Sequence, residues 1–217
     1  MPQEPSIQYF VMDNPGTPFI LTAMTDISSI CVFCGSRAGN DLAHGVAARA
    51  LGAEIAKNNV RLIYGGGDIG LMSMVARATL EAGGKATGII PQFIMEFEVG
   101  NPGLTELIVV DSMHDRKRAM FERSDAFVVL PGGLGTIDET IEILTWKQLQ
   151  QHSKPVVLLD INNYWQPMVD LITAVVDGGF GHHGISDLFS VVDSVGKVFP
   201  AIEQAPEVSK EVLTSHL

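Results

Sequence analysis

Apolar residues along this chain fall into short unbroken runs separated by stretches of helical spacing. Runs at 28–34, 60–64, 86–90, 107–110, 125–130 and 155–159, with a shorter one at Ser190-Val191-Val192, are rich in Val, Ile and Leu and are bounded by Gly, Pro, Asn, Asp or Ser. They predict strands buried on both faces. The segments between them, at 41–58, 68–80, 112–123, 140–151, 164–176 and 194–204, carry apolar residues at helical intervals. In the first helix Leu42, Val46, Ala50, Leu51 and Ile55 are expected on one side, with Asp41 near the N-terminus. In the fourth, Ile141, Ile143, Leu144 and Leu149 are expected to share a face with Trp146. Gly83-Gly84 supplies a C-cap after the second helix, and Pro91 stops the third strand. Strands alternating with helices predict a doubly wound α/β fold of Rossmann type, a parallel sheet of about six to seven strands with helices on both faces. Such sheets bind ligands outside the carboxyl ends of their strands.

Three glycine turns fall at such ends: Gly35-Ser36, Gly65-Gly66-Gly67 with Gly70, and Gly132-Gly133-x-Gly135. The third lies in Leu130-Pro131-Gly132-Gly133-Leu134-Gly135-Thr136-Ile137-Asp138-Glu139, between a strand and a helix expected to start at Thr136. Glycines there let backbone N–H groups approach a ligand, and the helix start adds free N–H groups and a positive dipole end. Together they suit an anion, most often a phosphate. The spacing is neither G-x-G-x-x-G nor the lysine-terminated phosphate loop. A purely structural reading competes: Thr136-x-x-Glu139 fits a capping box, with Thr136 as N-cap and Glu139 at the third helical position.

Length and charge narrow the field. The chain has 217 residues, enough for one sizeable domain, read as residues 27–217. Residues 1–26 contain Pro2, Pro5, Pro15 and Pro18 without periodicity and are expected to form an N-terminal extension, partly ordered at most. They lack the basic start and apolar stretch of a signal peptide, and Met24 is a candidate natural start. No apolar run is long enough to span a membrane. A net charge of −11 argues against general nucleic-acid binding. Cys31-Val32-Phe33-Cys34 has redox-pair spacing but lies in a strand, away from the helix N-terminus a low thiol pKa needs, so buried structural cysteines are expected. Without a disulfide framework, a reducing, cytoplasmic compartment is expected. His182-His183 is an isolated pair in a Gly-rich loop, expected at the surface, and no metal site is expected.

The chain has 14 Lys and Arg, of which Arg116, Lys117, Arg118 and Arg123 lie close together on the helix at 112–123. That helix leaves the carboxyl end of a strand, so its first turns are expected at the ligand edge. A guanidinium there can hold phosphate or ribose oxygens with paired hydrogen bonds, which favours Arg116 as a site residue. Arg118 and Arg123 are expected on a solvated face, with Arg118 spaced to meet Glu122 one turn on. His114 is expected to be structural.

Pro131-Gly132-Gly133-x-Gly135-Thr136-x-x-Glu139 resembles the signature of the LOG (Lonely guy) family, cytokinin riboside 5′-monophosphate phosphoribohydrolases whose members have often been labelled lysine decarboxylases. Met113-His114-x-Arg116-Lys117 is similar to the family's second motif. Cys34-Gly35-Ser36, Tyr64-Gly65-Gly66-Gly67-x-x-Gly70-Leu71-Met72, and Trp146-x-Gln148-Leu149 leading to Lys154-Pro155-Val156 extend the resemblance over residues 28–195. Ser73, Asp138 and Leu134 depart from it, standing where the family favours Gly, Glu and an aromatic residue. The resemblance implies hydrolysis of the N-glycosidic bond of a nucleoside 5′-monophosphate, with Arg116 and Glu139 catalytic. It implies a phosphate cradle at Gly132, Gly133, Gly135 and Thr136, with Lys117 among the binding residues and Ser36, Gly66 and Met113 as walls for base and sugar. No cofactor is implied, and the assembly expected is a homodimer or a larger homo-oligomer. A lysine decarboxylase would need pyridoxal phosphate on a lysine; Lys117 and Lys154, the lysines near the candidate segments, sit in no pattern that demands it. Two other readings stand beside the hydrolase: a broad nucleotide nucleosidase, and a noncatalytic nucleotide-binding or carrier protein. Against the carrier, simple anion binding gains nothing from a nearby carboxylate.

Overall fold

The computed structural model describes residues 27–95, 101 and 103–206. The expected extension at 1–26, and the last eleven residues of the expected domain, lie outside the described residues. Seven strands form one parallel sheet: β1 (Ser29–Phe33), β2 (Arg61–Tyr64), β3 (Lys85–Pro91), β4 (Glu106–Val110), β5 (Ala126–Val129), β6 (Val156–Leu159) and β7 (Ser190–Val192). Their order is β4-β3-β2-β1-β5-β6-β7. Ile30 of β1 pairs with Leu62 on one side and Ala126 on the other, which fixes the register at the middle of the sheet. The chain therefore builds outward from β1 in one direction, then returns to add β5 on its other side. That reversal is the switch point at which doubly wound sheets open a crevice.

Among the described residues seven α-helices cover the sheet: α1 (Leu42–Lys57), α2 (Gly70–Glu81), the short α3 (Gln92–Met95), α4 (Met113–Glu122), α5 (Leu134–Gln148), α6 (Gln166–Asp177) and α7 (Val198–Glu203). The strands, predicted to be continuous apolar runs, are buried from both sides. Ile30, Val32 and Cys34 join one core with Leu51, Ile55, Val75 and Val198 of α1, α2 and α7. Cys31 and Phe33 join the other with Met120, Ile143, Leu144 and Met168 of α4, α5 and α6. The two cysteines thus point to opposite faces, and both are free and buried. Burial pushes both thiols up, the opposite of a reactive pair.

The helix faces differ from the periodicity in instructive ways. In α1, Leu42, Val46 and Ala50 are exposed, while Gly45, Ala48, Leu51, Gly52, Ile55 and Ala56 are buried. Small residues form the seam because α2 lies against them: a Cβ on Gly52 would run into the Val75 carbonyl oxygen. In α5, Ile143 and Leu144 are buried as expected, but Ile141 and the C-cap Leu149 are exposed. The helix expected at 194–204 is broken into a 3-10 turn, Val195–Lys197, and α7. Short elements without a long periodic stretch, α3 and the 3-10 helix His183–Leu188, escaped the pattern altogether.

Candidate active site

The turns after β1 and β5 meet at the switch point. Gly35 N donates to the Pro131 carbonyl at 3.0 Å, and Leu71 N donates to the Gly35 carbonyl at 3.0 Å. The two glycine turns and the start of α2 are thereby sewn into one rim. Above it a cleft of about 270 Å³ is lined by Ser36, Met72, Met113, Arg116, Gly133, Gly135, Thr136 and Glu139, among others.

The start of α5 corrects the capping-box reading. The helix begins at Leu134 with Gly133 as N-cap and no side-chain cap, two residues before the expected start. Ile137 N makes its bond to the Gly133 carbonyl at 3.1 Å, so the N–H groups of Leu134, Gly135 and Thr136 precede the first helical bond. Thr136 is buried in the first turn, packed so closely on Gly132 that a Cβ there would strike its Oγ1. Glu139, sited well beyond the third helical position, points into the cleft instead of back to the N-cap. An uncapped N-terminus at a ligand edge is a ready anion site.

Glu139 is 9% exposed, and burial pushes its carboxyl up to about 7; Arg116 pulls against that shift and Asp138 adds to it. Arg116 is held from the opposite wall. Ser112 caps α4 by accepting from Asp115 N at 3.1 Å, which sets the first turn. The Arg116 side chain then donates from Nε to the Ile89 carbonyl (3.2 Å) and from Nη2 to the Gly65 carbonyl (3.3 Å), at the ends of β3 and β2. A Cβ at Gly65 would overlap that guanidinium, so a larger residue there would push the Arg116 head away from the Gly65 carbonyl. Among the described residues no ion pair joins Arg116 to Glu139, so the cation and the acid face each other across open space. A buried, proton-sharing carboxyl opposite a fixed cation and beside an anion cradle is the equipment of general acid–base chemistry on a phosphorylated substrate.

Seven of the expected site residues line this cleft: Ser36, Met113, Arg116, Gly133, Gly135, Thr136 and Glu139. Gly132 lines an adjoining cleft of about 570 Å³. Two others stand outside both linings. Gly66 has φ +77° and lies against Ile89 and Ile90, supporting the turn beneath Arg116. Lys117 turns its ammonium to Asp138 (3.2 Å) and Glu142 (3.1 Å), an α4–α5 clasp. Burial opposes its charge, but the two carboxylates outweigh that and hold its pKa above the usual lysine value. Arg118 meets Glu122 at 2.8 Å as the spacing predicted. His182 accepts from Gly184 N at 3.0 Å in its loop, and among the described residues no group of three metal-ligating side chains exists.

Tyr164 and His44, which line the larger cleft, were not singled out from sequence. The signal for Tyr164 was available, since it follows the carboxyl end of β6, on the same edge as the three glycine turns after β1, β2 and β5. Lys147, on the inward face of α5, likewise gives no sign in the sequence of its burial. Burial pushes Lys147 down to about 8. It sits eleven residues along α5 from Thr136, about 16 Å down the helix axis from the cradle.

The chain is similar to known proteins in sequence and in fold. A family model described as "Possible lysine decarboxylase" matches residues 72–202. A cytokinin riboside 5′-monophosphate phosphoribohydrolase of Arabidopsis thaliana is 44% identical over 151 residues, 70% of this chain and 71% of the relative. The enzyme of that name from Rhodococcoides fascians is 43% identical over 167 residues, 76% of this chain and 84% of its own. Among solved structures, the molybdenum cofactor carrier protein of Chlamydomonas reinhardtii superposes with a TM-score of 0.63 at 26% identity, covering 82% of this chain and 96% of the carrier. With the glycine turns, the Arg116–Glu139 pair and matches of this extent, the chain belongs to the LOG family, the group covered by that lysine decarboxylase model.

Proposed function

We propose that this protein hydrolyses the N-glycosidic bond of cytokinin nucleoside 5′-monophosphates, and of AMP, to the free base and ribose 5-phosphate. The observation that carries the reading is Glu139: a buried carboxyl with its pKa near neutrality, across the cleft from Arg116 and beside the uncapped start of α5. The 5′-phosphate occupies the N–H groups of Gly133, Leu134, Gly135 and Thr136. Arg116 positions the phosphate or ribose oxygens and keeps Glu139 ionisable. As the C1′–N bond breaks, its electron pair leaves with the base and positive charge grows on C1′. The Glu139 carboxylate stabilises that charge and takes a proton from the attacking water, whose oxygen bonds C1′. The proton passes to the departing base, so the products are neutral base and ribose 5-phosphate. Ser36 and Met113 wall the sugar and base.

A second reading, a noncatalytic carrier, draws on the 26% identity to the molybdenum cofactor carrier protein. The phosphoribohydrolases are much nearer, at 43–44%, and carriage alone gives no use for an acid pushed to neutrality. Base release from AMP and from N6-isopentenyl-AMP, followed by chromatography for wild type and Glu139→Ala, decides between them. Release that disappears in the variant supports the hydrolase, and the ratio of the two rates separates cytokinin activation from general nucleotide turnover. Binding without release sinks the hydrolase reading. We further infer a homodimer, because the outer side of α5 next to the cleft exposes Leu134, Ile137 and Ile141, and a cytoplasmic setting, in keeping with two free thiols. No helix among the described residues is long and apolar enough to cross a membrane.

A further inference from the structure

We propose that Tyr164 is a positioning residue of the phosphate cradle: its hydroxyl holds the Gly132 carbonyl and thereby aims the Gly133 N–H at the ligand's anion. The inference rests on the cradle described above and adds to it a part contributed by another strand.

The Tyr164 hydroxyl donates to the Gly132 carbonyl oxygen at 2.5 Å. That carbonyl and the Gly133 N–H belong to one planar, trans peptide unit, so they point in opposite directions. Gly132 and Tyr164 line the larger cleft only, whereas Gly133 lines both that cleft and the one that holds Arg116 and Glu139. A carbonyl tethered toward the larger cleft therefore turns the next N–H away from it, toward the catalytic side. Gly133 is the N-cap of α5 and has no side chain of its own to set this orientation. Without the tether, the Gly132–Gly133 unit has the freedom that two adjacent glycines confer.

The tyrosine is itself held on several sides. Trp165 N donates to Asp160 Oδ1 at 2.7 Å, anchoring the segment to the end of β6. Asn162 Nδ2 donates to Asp41 Oδ2 at 2.7 Å, tying it to the N-cap of α1. Asn162 and Asn163 both take left-handed conformations, φ 55° and 60°, a tight path that presents the next residue to the rim. The Tyr164 ring then stands edge-on to His44 (5.3 Å) and to Trp165 (5.0 Å). The backbone on either side of Tyr164 is thus anchored and its ring, 40% exposed, is flanked by two aromatic rings, which sets where the hydroxyl reaches.

The test is Tyr164→Phe in the full chain, which keeps the ring and its packing and removes one hydroxyl. Calorimetric affinities are measured for ribose 5-phosphate and adenosine directly, and for AMP with Glu139→Gln present in both proteins so that the ligand is not consumed during the titration. The expected result is a loss of about tenfold for both phosphorylated ligands, with adenosine unchanged. A generally disturbed rim would weaken adenosine in step with AMP, and that outcome overturns the proposal, as do unchanged affinities for AMP and ribose 5-phosphate. Wild-type protein that binds neither phosphorylated ligand overturns the cradle and this role together. Because the readout is binding, wild-type protein that binds AMP yet releases no base defeats only the hydrolase reading. As a second measurement, Tyr164→Phe raises KM for AMP by the same factor and leaves the pH profile of kcat in place; a fall in kcat alone contradicts a positioning role.

Discussion

At the scale of single residues, the site is an acid and a cation that shape each other without touching. Ionised Glu139 is disfavoured by burial and only partly rescued by Arg116. Below pH 4.5 the carboxyl is protonated in folded and unfolded chains alike; between 4.5 and about 7 only the folded chain keeps the proton, so stability falls as pH rises through that window. Above it, the deficit is on the order of 3 kcal/mol. Glu139→Gln is therefore expected to melt higher than wild type at pH 8 and level with it near pH 4.5, while base release drops by about a hundredfold or more. Thermal melts at the two pH values check the first point. If the carboxylate is the working form, wild-type kcat/KM rises through about pH 7. Removing the cation moves the acid further: in Arg116→Ala the Glu139 carboxyl should titrate above its wild-type value, read by carbon NMR of labelled glutamate. A value at or below wild type contradicts the electrostatic link.

At the scale of elements, α5 carries both the chemistry and a weakness. Its inward face runs Thr136, Glu139, Thr140, Ile143, Leu144, Lys147, one face of a helix with polar residues at both ends. The first end serves the cleft. The second buries Lys147, 1% exposed, and burial alone pushes its ammonium down to about 8. For a base the sign reverses. Below about pH 8 both states are charged and the folded one bears the penalty; between about 8 and 10.5 only the folded chain sheds its proton, so stability rises with pH there. Lys147→Met keeps the length and apolar stem and should raise the melting temperature at pH 7, the gain shrinking as pH approaches 10.5. A lower melting temperature at pH 7 would mean the ammonium has a partner that stabilises it. Because this lysine is remote from the cradle, the variant should keep base release.

At the scale of the whole molecule, the sheet order makes the site possible. Because β5 returns to pair with β1, Gly35 and Pro131 become neighbours, and Arg116 reaches back over β2 and β3 to meet α5 from the far side. The outer face of α5 leaves Leu134 86% exposed, with Ile137 and Ile141 also exposed, beside the same cleft. Single exposed apolar residues are ordinary, whereas a stripe at helical spacing beside a cleft suits the homodimer contact proposed above. Ile141→Glu is expected to shift the protein from dimer to monomer in sedimentation velocity, since a buried, unpaired carboxylate is strongly disfavoured. A wild type that sediments as a monomer would set the homodimer aside without touching the Arg116–Glu139 chemistry.

The sequence alone determined the strands, the alternation that makes the sheet parallel and the three glycine turns. These follow from periodicity and turn chemistry, which act between residues near in the chain. It also offered a local rule that tertiary structure overrode. Thr136-x-x-Glu139 has the spacing of a capping box, yet α5 starts at Gly133–Leu134 and Glu139 faces a cation donated by another helix. The seam of α1 went the same way: Leu42 and Val46 look like a core face, but the small residues bury because they let α2 come close. Lys117 reads as a ligand for phosphate until α4 and α5 pack, when two carboxylates claim it. Tyr164 reaches Gly132 across thirty-two positions of chain. Only the closing of the sheet decides such partners, because side-chain chemistry states what a group can bind, while topology states what stands within reach.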